Sequence, residues 1–147
     1  MANNKIEQKI LSTKVVKPED ALKSQEFFLP IVRPEVLTGS TYKIKPNGGH
    51  ALYITINNDE NGQPYEIFLN SKDMEQFQWI IGLMITISTV MKVPNSLPDL
   101  IEKLKGVHTP TGGYWGKLLD GKKSINFPSV VAHIGFILEE HLKLSKN

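Results

Sequence analysis

The sequence predicts an α+β fold, in which an antiparallel β-meander of about three strands packs against a long central helix and two further C-terminal helices follow. In residues 40–69, apolar and polar residues alternate in short runs separated by turn residues, which is typical of strands in a half-buried sheet. A long apolar stretch and a second apolar series after it both repeat at helical spacing. Because the strands precede the helices instead of alternating with them, the pattern indicates the α+β class.

The predicted strands are residues 41–45, 50–56 and 65–69, and the turns at 46–49 and 57–62 join them. In each strand apolar side chains recur at every second residue, so they share one face of the meander. The turns contain Asn and Gly, which accept the backbone conformations that tight turns require. The three strands are therefore expected to pair in sequence order with one strongly apolar face.

The long central helix is predicted to follow the sheet directly. Asn70 or Ser71 is a suitable N-cap, and Asp73 and Glu75 would place acidic groups in the first turn, where they favour the helix dipole. Apolar residues then repeat at helical spacing as far as residue 91, and further apolar residues widen the stripe. We expect this helix to lie on the sheet and to be covered over most of its surface.

The C-terminal third is predicted to be helical except for one glycine-rich segment. Pro94 and Pro98 end the central helix, and residues 97–104 form a second, short helix. Residues 109–123 are expected to be irregular. A last helix is predicted to open with Pro128, because proline suits the first helical turn.

A chain of 147 residues suits a single domain. Prolines interrupt residues 1–34, which we expect to form a partly ordered N-terminal arm, and residues 35–147 are predicted to form the α+β domain.

The net charge of +2 is too small to indicate, by itself, a nucleic-acid-binding face.

Several classes of protein are excluded by composition. The chain has no cysteine, so it has no disulfide, no thiolate nucleophile and no zinc–thiolate site. The N-terminus lacks the apolar core of a signal peptide. The longest apolar run, residues 79–91, is shorter than the roughly 20 residues that span a bilayer. We therefore expect a soluble, cytoplasmic protein.

Two short motifs come close to known ligand sites and fail. Residues 57–62 resemble the first half of a calcium loop, but Phe68 stands where the loop needs a bidentate Glu. Residues 112–117 resemble a phosphate-binding loop, but Thr111 and Leu118 replace the required Gly and Ser or Thr. We predict no catalytic, cofactor-binding or metal-binding residue; an anion site made by backbone amides near residue 117 stays open as an alternative.

One set of residues is a candidate surface for a ligand or a partner. Aromatic residues on the second face of the meander, beside two lysines, could stack on nucleobases, although a helix or a partner chain could equally cover them. A tryptophan and a lysine in the glycine-rich segment are ambiguous in the same way. The six candidates are Lys43, Lys45, Tyr53, Phe68, Trp115 and Lys117.

Most of the chain resembles a known family. "RPEVLTGSTYKIKPNGGHALYITINNDENGQPYEIFLNSKDMEQFQW", "LPDLIEKLKGV", "TGGYW" and "INFPSVVAHIGFILEEHL" closely resemble the TSCPD domain, a region near the C-terminal end of class II, adenosylcobalamin-dependent ribonucleotide reductases. The likeness covers residues 33–142. In the last segment, where the Thr-Ser-Cys-Pro-Asp of the domain's name would lie, Pro128 matches and its neighbours depart from the pattern: Ile125, Asn126, Phe127 and Ser129.

The resemblance implies a role in binding, without catalysis. In class II reductases the radical chemistry belongs to a catalytic barrel with cysteines and the cobalamin, and this chain has no cysteine. We therefore expect a non-catalytic accessory or regulatory module associated with ribonucleotide reductase or nucleotide metabolism, with no cofactor, which acts by protein binding. The catalytic chain of a class II reductase is the expected partner.

Two alternatives to this function stay open, and so does the oligomeric state. The chain could be a nucleotide-binding or single-stranded nucleic-acid-binding module, or a captured module of a mobile element that inhibits a host enzyme. A homodimer joined through the exposed edges of the meander, at residues 41–45 or 65–69, is a further expectation, because unpaired strand edges favour pairing.

Overall fold

A computed structural model of the protein describes residues 32–46, 49–72, 75–119 and 121–145. The range Pro34–Asn147 forms one compact unit. Nearly all of the expected N-terminal arm, residues 1–34, lies outside the described residues, so the arm and its boundary stay predictions.

A three-stranded antiparallel sheet is built from β1 (Thr38–Ile44), β2 (Leu52–Asn58) and β3 (Pro64–Ser71), in that order. Because side chains alternate along each strand, one face is apolar and buried. Its buried residues are Ile44, Ile54, Ile56, Ile67 and Leu69. The predicted meander is confirmed.

Three helices close this face: α1 (Phe77–Met91), α2 (Leu97–Lys105) and α3 (Val130–Ser145). α1 packs along β3, and α2 packs against α3. All three add residues to one hydrophobic cluster with the sheet, and the fully buried members from the helices include Ile87, Ile134, Ile137 and Leu138. The α+β class with a long helix after the strands is thereby confirmed. Within the described residues, no helix has both the length and the apolar character that crossing a membrane requires.

The start of α1 differs from the prediction. β3 continues through Ser71, which pairs with Leu52 of β2, and α1 begins only at Phe77. Gln76 is the N-cap and makes no side-chain capping bond, and the first turn contains no acidic residue. Strand pairing thus takes priority over the local capping preference of Asn70 and Ser71, so the predicted cap is wrong.

The end of α1 also comes earlier than the prolines suggested. The helix stops at Met91, and Pro98 lies in the first turn of α2. A proline is tolerated there because the first N–H groups of a helix have no intrahelical partner. Pro98 therefore begins the second helix and does not end the first.

A second, two-stranded sheet occupies part of the segment that was expected to be irregular. β4 (Tyr114–Lys117) pairs antiparallel with β5 (Ser124–Phe127). The glycines permit close packing within this hairpin: a Cβ on Gly113 would lie 2.0 Å from the Phe127 carbonyl oxygen, and one on Gly116 would lie 2.9 Å from the Phe127 ring. The prediction that residues 109–123 are irregular is wrong, because these glycines allow β4 to pack closely against Phe127 of β5 in a hairpin.

Candidate functional site

Two adjoining cavities lie where the end of β1 approaches β4. The first, of about 270 Å³, is lined by Lys43, Lys45, Tyr53 and Lys72, together with the loop before β2. The second, of about 290 Å³, shares Lys43 and Lys45 with the first and is lined on its other side by the whole of β4. We call the pair, joined by Lys43 and Lys45, the lysine cavities.

Tyr53 forms the aromatic wall of the first cavity, and the register of the sheet places it there. Lys43 of β1 pairs with Tyr53 of β2, so both side chains project from the second face of the meander. The Lys43 Nζ atom lies 5.9 Å from the centroid of the Tyr53 ring, which is within cation–π range. Tyr53 remains 42% exposed, so its ring is accessible from the first cavity.

Trp115 forms the aromatic wall of the second cavity, and the alternation of buried and exposed side chains along β4 places it there. Tyr114 is buried and Gly116 packs on Phe127, whereas Trp115 and Lys117 point outward. Trp115 is 70% exposed, which is unusual for the largest aromatic side chain. Because Trp115 and Lys117 share one side of the strand, an indole ring and an ammonium group line the same cavity.

Beneath β4, a buried histidine holds the strand. The Tyr114 hydroxyl and the His133 Nδ1 atom are 2.7 Å apart, and the His133 ring stacks on Phe127 with the ring centroids 3.6 Å apart. Burial lowers the pKa of His133 to about 4, and a hydrogen bond to the Lys117 backbone opposes this in part. Burial raises the pKa of Tyr114 to about 12. Both groups are therefore neutral near pH 7 and form a fixed, uncharged wall.

Among the described residues, the lysines of the cavities have no acidic partner. Within the described part of the chain, no ion pair involves Lys43, Lys45, Lys72 or Lys117. Among the described residues that line the two cavities, none is acidic. Ammonium groups on a concave surface without carboxylates attract anions, so the lysine cavities are suited to phosphate or carboxylate ligands.

Five of the six candidate residues from the sequence line these cavities, and Phe68 does not. Phe68 is 47% exposed and lies further along the second face, opposite Thr55. No described element covers Tyr53 or Phe68. Sequence reasoning missed Lys72 and His133 as part of this site, because nothing in the linear pattern shows that a lysine after β3 lines the first cavity and a histidine on α3 lines the second.

The second feature of the surface is the outside of α1. This helix, FQWIIGLMITISTVM, contains no charged residue, and its buried residues are Met84, Ile87 and Met91. The expectation that most of α1 is covered is wrong among the described residues, since Trp79 is 72% exposed and Ile85 61% exposed. We define the α1 outer face as its exposed residues Phe77, Gln78, Trp79, Ile81, Gly82, Ile85, Thr86 and Thr89.

Two threonines of the α1 outer face use their hydroxyl hydrogens within the helix. The Thr86 and Thr89 hydroxyls donate to the carbonyls of Gly82 and Ile85 within the same helix, each at 2.9 Å. Their hydrogens are thus used internally. The face presents isoleucines, two aromatic residues, a glutamine and threonines with satisfied donors, and it carries no charge.

A serine on the opposite side of α1 covers the outer edge of β3. The Ile67 N–H donates to the Ser88 hydroxyl at 3.0 Å, and this hydroxyl lies 3.4 Å from the Ile67 carbonyl oxygen. Both backbone groups that Ile67 directs away from β2 thus have a partner. The homodimer stays a prediction, and Ser88 occupies this part of the β3 edge.

The comparison with protein-family models found one match. The model of the TSCPD domain matches residues 21–142, which is most of the chain. The chain belongs to the TSCPD domain family. The family inferred from the sequence resemblance is therefore confirmed. The comparisons with curated proteins and with solved structures returned no match.

The region of the TSCPD domain that departs from the family's name has a structural role here. Phe127, where the name has Cys, is completely buried and stacks on His133. Ser129, where the name has Asp, caps α3: its hydroxyl accepts the Ala132 N–H at 2.9 Å and donates to the Val107 carbonyl at 2.6 Å. Serine and aspartate are both good N-caps, so this substitution preserves the start of the helix.

In the described ranges of this TSCPD domain, no group of three or more histidine, aspartate or glutamate side chains is arranged to hold a metal ion. His133 and His141, on the same helix, have other partners. His141 Nδ1 lies 2.6 Å from the Tyr42 hydroxyl, and its Nε2 lies 2.7 Å from Asn58 Oδ1. The chemistry that this surface offers is binding through cations, aromatic rings and an apolar helix.

Proposed function

We propose that this TSCPD-domain protein is a non-catalytic accessory or regulatory module that binds the catalytic chain of a class II ribonucleotide reductase. The observation that carries the proposal is the α1 outer face, which is exposed, partly apolar and without charge. The proposal assumes the cytoplasmic location that the sequence predicts, because contact with the reductase requires it.

The α1 outer face has the composition of a binding surface. The centres of protein interfaces are depleted of charged residues and enriched in aromatic residues, and tryptophan is prominent among the residues that contribute most to affinity. A helix that faces only water normally carries charged side chains on its outer side. The exposure of Trp79 and Ile85 on an uncharged helix therefore supports a protein partner.

The family supports the identity of the partner. The TSCPD domain is associated with ribonucleotide reductases. The chain has no cysteine, so it cannot itself supply the thiol chemistry of those enzymes. A module of this family without thiols can still act on a reductase by contact, either holding it or altering its activity.

The test is a binding measurement between the purified protein and the catalytic chain of a class II reductase. We expect saturable binding at micromolar concentrations or below. Ile85→Lys should weaken binding by about tenfold or more, because it places a charge in a desolvated apolar contact. Absence of binding at micromolar concentrations would contradict the proposal.

A matched control is available on another helix. Leu144 of α3 has the same exposure as Ile85, 61%, and lies outside the α1 outer face. Leu144→Lys should therefore leave the affinity unchanged. Equal losses for the two variants would show that α1 is not the contact surface.

The hypothesis of a captured module that inhibits a host enzyme predicts the same contact with a different consequence. Adding the protein to an active reductase separates the two. Accelerated or allosterically altered turnover supports an accessory role, whereas a stoichiometric loss of turnover supports the inhibitor.

A further inference from the structure

We infer that the lysine cavities form a binding site for a nucleoside polyphosphate, with the phosphates on Lys43, Lys45 and Lys117 and the base against Trp115. This site goes beyond the proposed contact with a reductase, and none of its described lining residues belongs to α1. Either proposal can fail while the other holds.

The phosphate part follows from charge and position. Lys43 and Lys45 stand in the wall common to both cavities, with Lys72 in the first and Lys117 in the second. A chain of phosphates laid across the shared wall would meet ammonium groups from both sides. Lysine is a common phosphate ligand because its ammonium carries three donors, and the charge makes each hydrogen bond stronger.

The nucleoside part follows from Trp115. Among the described aromatic residues, Trp115 makes no ring contact and no cation–π contact, whereas Tyr53 already has Lys43 over its face. An exposed indole with a free face beside ammonium groups is suited to stacking on a flat heterocycle. A ligand that carries both an aromatic ring and several phosphates uses both features at once.

The floor of the second cavity is pre-organised for this ligand. His133 is neutral and bonds to Tyr114 and to the Lys117 backbone, so β4 is held from below. Gly116 has no room for a side chain, because a Cβ would lie 2.9 Å from the Phe127 ring and 3.3 Å from His133. The backbone at Trp115 and Lys117 is thus held before a ligand arrives, which reduces the backbone entropy lost on binding.

The distribution of charge favours a mononucleotide over a nucleic-acid strand. A single-strand-binding surface needs a basic groove that follows the backbone over several nucleotides. Here the strands next to the cavities, LYITINN of β2 and PYEIFLNS of β3, contain no lysine or arginine. The outer face beyond Tyr53 instead carries the Thr41–Thr55 hydrogen bond and the buried Glu66. Along the meander, the positive charge is therefore limited to the lysines that line the cavities, which suits a compact polyphosphate.

The experiment is a titration of the full-length protein with four probes: ATP, inorganic tripolyphosphate, adenosine and an oligonucleotide. We expect saturable binding of ATP that is tighter than binding of tripolyphosphate or adenosine and that weakens as salt is added. Lys45→Ala and Lys117→Ala should each weaken ATP binding about tenfold to a hundredfold, because each removes a charge-assisted hydrogen bond.

The variants separate the two halves of the site. Trp115→Ala should weaken ATP binding by about tenfold, while tripolyphosphate binding should be unchanged, because only the stacked ring is lost. Lys103→Ala is the matched control, since Lys103 is a highly exposed lysine of α2 outside both cavities. These side chains are all exposed, so the variants should fold, and their far-ultraviolet spectra check this.

Four results would overturn the inference. ATP could fail to bind saturably, or Lys45→Ala and Lys117→Ala could bind ATP as tightly as Lys103→Ala does. If tripolyphosphate binds as tightly as ATP, the nucleoside contributes nothing to binding, and the site is one for polyphosphate alone. An oligonucleotide that binds more tightly than ATP would reassign the cavities to single-stranded nucleic acid.

Discussion

Two buried histidines on α3 join that helix to the two sheets. The carbonyl oxygen of Asn58 can only accept, so the His141 Nε2 atom must carry the proton and its Nδ1 atom accepts from the Tyr42 hydroxyl. His133 makes the corresponding link to β4 through the Tyr114 hydroxyl and the Lys117 backbone. In both histidines, one nitrogen of the neutral ring donates a hydrogen bond and the other accepts one. Protonation of the accepting nitrogen would break that hydrogen bond, so both links need the neutral ring.

Acid should therefore weaken the fold through His133. Burial lowers its pKa to about 4 from the usual 6.5, so below about pH 6.5 the unfolded chain binds a proton that the folded chain does not. The free energy of unfolding should fall as the pH drops from about 6.5 to about 4, by up to roughly 1.4 kcal/mol per pH unit from this residue. Burial lowers the pKa of His141 too, so its effect has the same sign. Urea denaturation at a series of pH values measures this dependence.

Substitution isolates the contribution of His133. His133→Gln keeps a donor and an acceptor but cannot titrate, so it should be less stable at pH 7 and yet show a shallower pH dependence than the native chain. His108→Gln changes an exposed histidine outside α3 and is the matched control. Equal slopes for the native chain and His133→Gln would show that His133 does not carry the pH dependence.

At the scale of elements, one serine should matter more than its neighbours on the same helix. Ser88→Ala leaves the buried Ile67 N–H without its partner on α1, which should cost about 1–2 kcal/mol of unfolding free energy. Thr86→Ala removes an exposed hydroxyl that bonds only within its own helix, so the change should stay within about 0.5 kcal/mol of zero. Chemical denaturation of the two variants compares them directly. Similar values would mean that Ser88 does not hold α1 to the edge of β3.

How far an element could be predicted depended on how local its determinants are. The meander was predictable because alternation and turn residues lie within the strands and their connections. The hairpin of β4 and β5 was missed because its four-residue strands carry little alternation and its glycines serve a close approach to Phe127 that is visible only in three dimensions. The start of α1 was misplaced because pairing of Ser71 with Leu52 is a long-range contact.

The two candidate surfaces were predictable to different degrees. The aromatic–lysine pair of β1 and β2 followed from alternation, since Lys43 and Tyr53 fall on the polar face of neighbouring strands. The approach of Lys43 to Trp115 and Lys117 did not follow, because about seventy residues separate Lys43 from them along the chain. The α1 outer face was taken for core, because an apolar residue at a protein interface and one in a core look the same in a sequence.

At the scale of the whole molecule, charge is distributed in a way that separates two kinds of contact. The fifteen residues of α1 carry none, while four lysines without ion pairs among the described residues stand around the cavities at β1 and β4. The proposed apolar docking and the proposed anion binding therefore use different residues of one compact unit. If both proposals hold, a small module combines a protein contact with the binding of a metabolite.

Truncation of the chain can test where that compact unit begins. Among the described residues, its buried core cluster runs from Ile44 to Leu138, and residues 32–37 contribute no member to it. The family match, however, begins at residue 21, inside the expected arm. We predict that a chain of residues 35–147 unfolds cooperatively in urea, with an unfolding free energy within about 1 kcal/mol of the full chain. A chain of residues 21–147 is the control, because it keeps everything that the family match includes. If the longer chain unfolds cooperatively and the shorter one does not, the domain begins near residue 21 and the boundary at residue 35 is wrong.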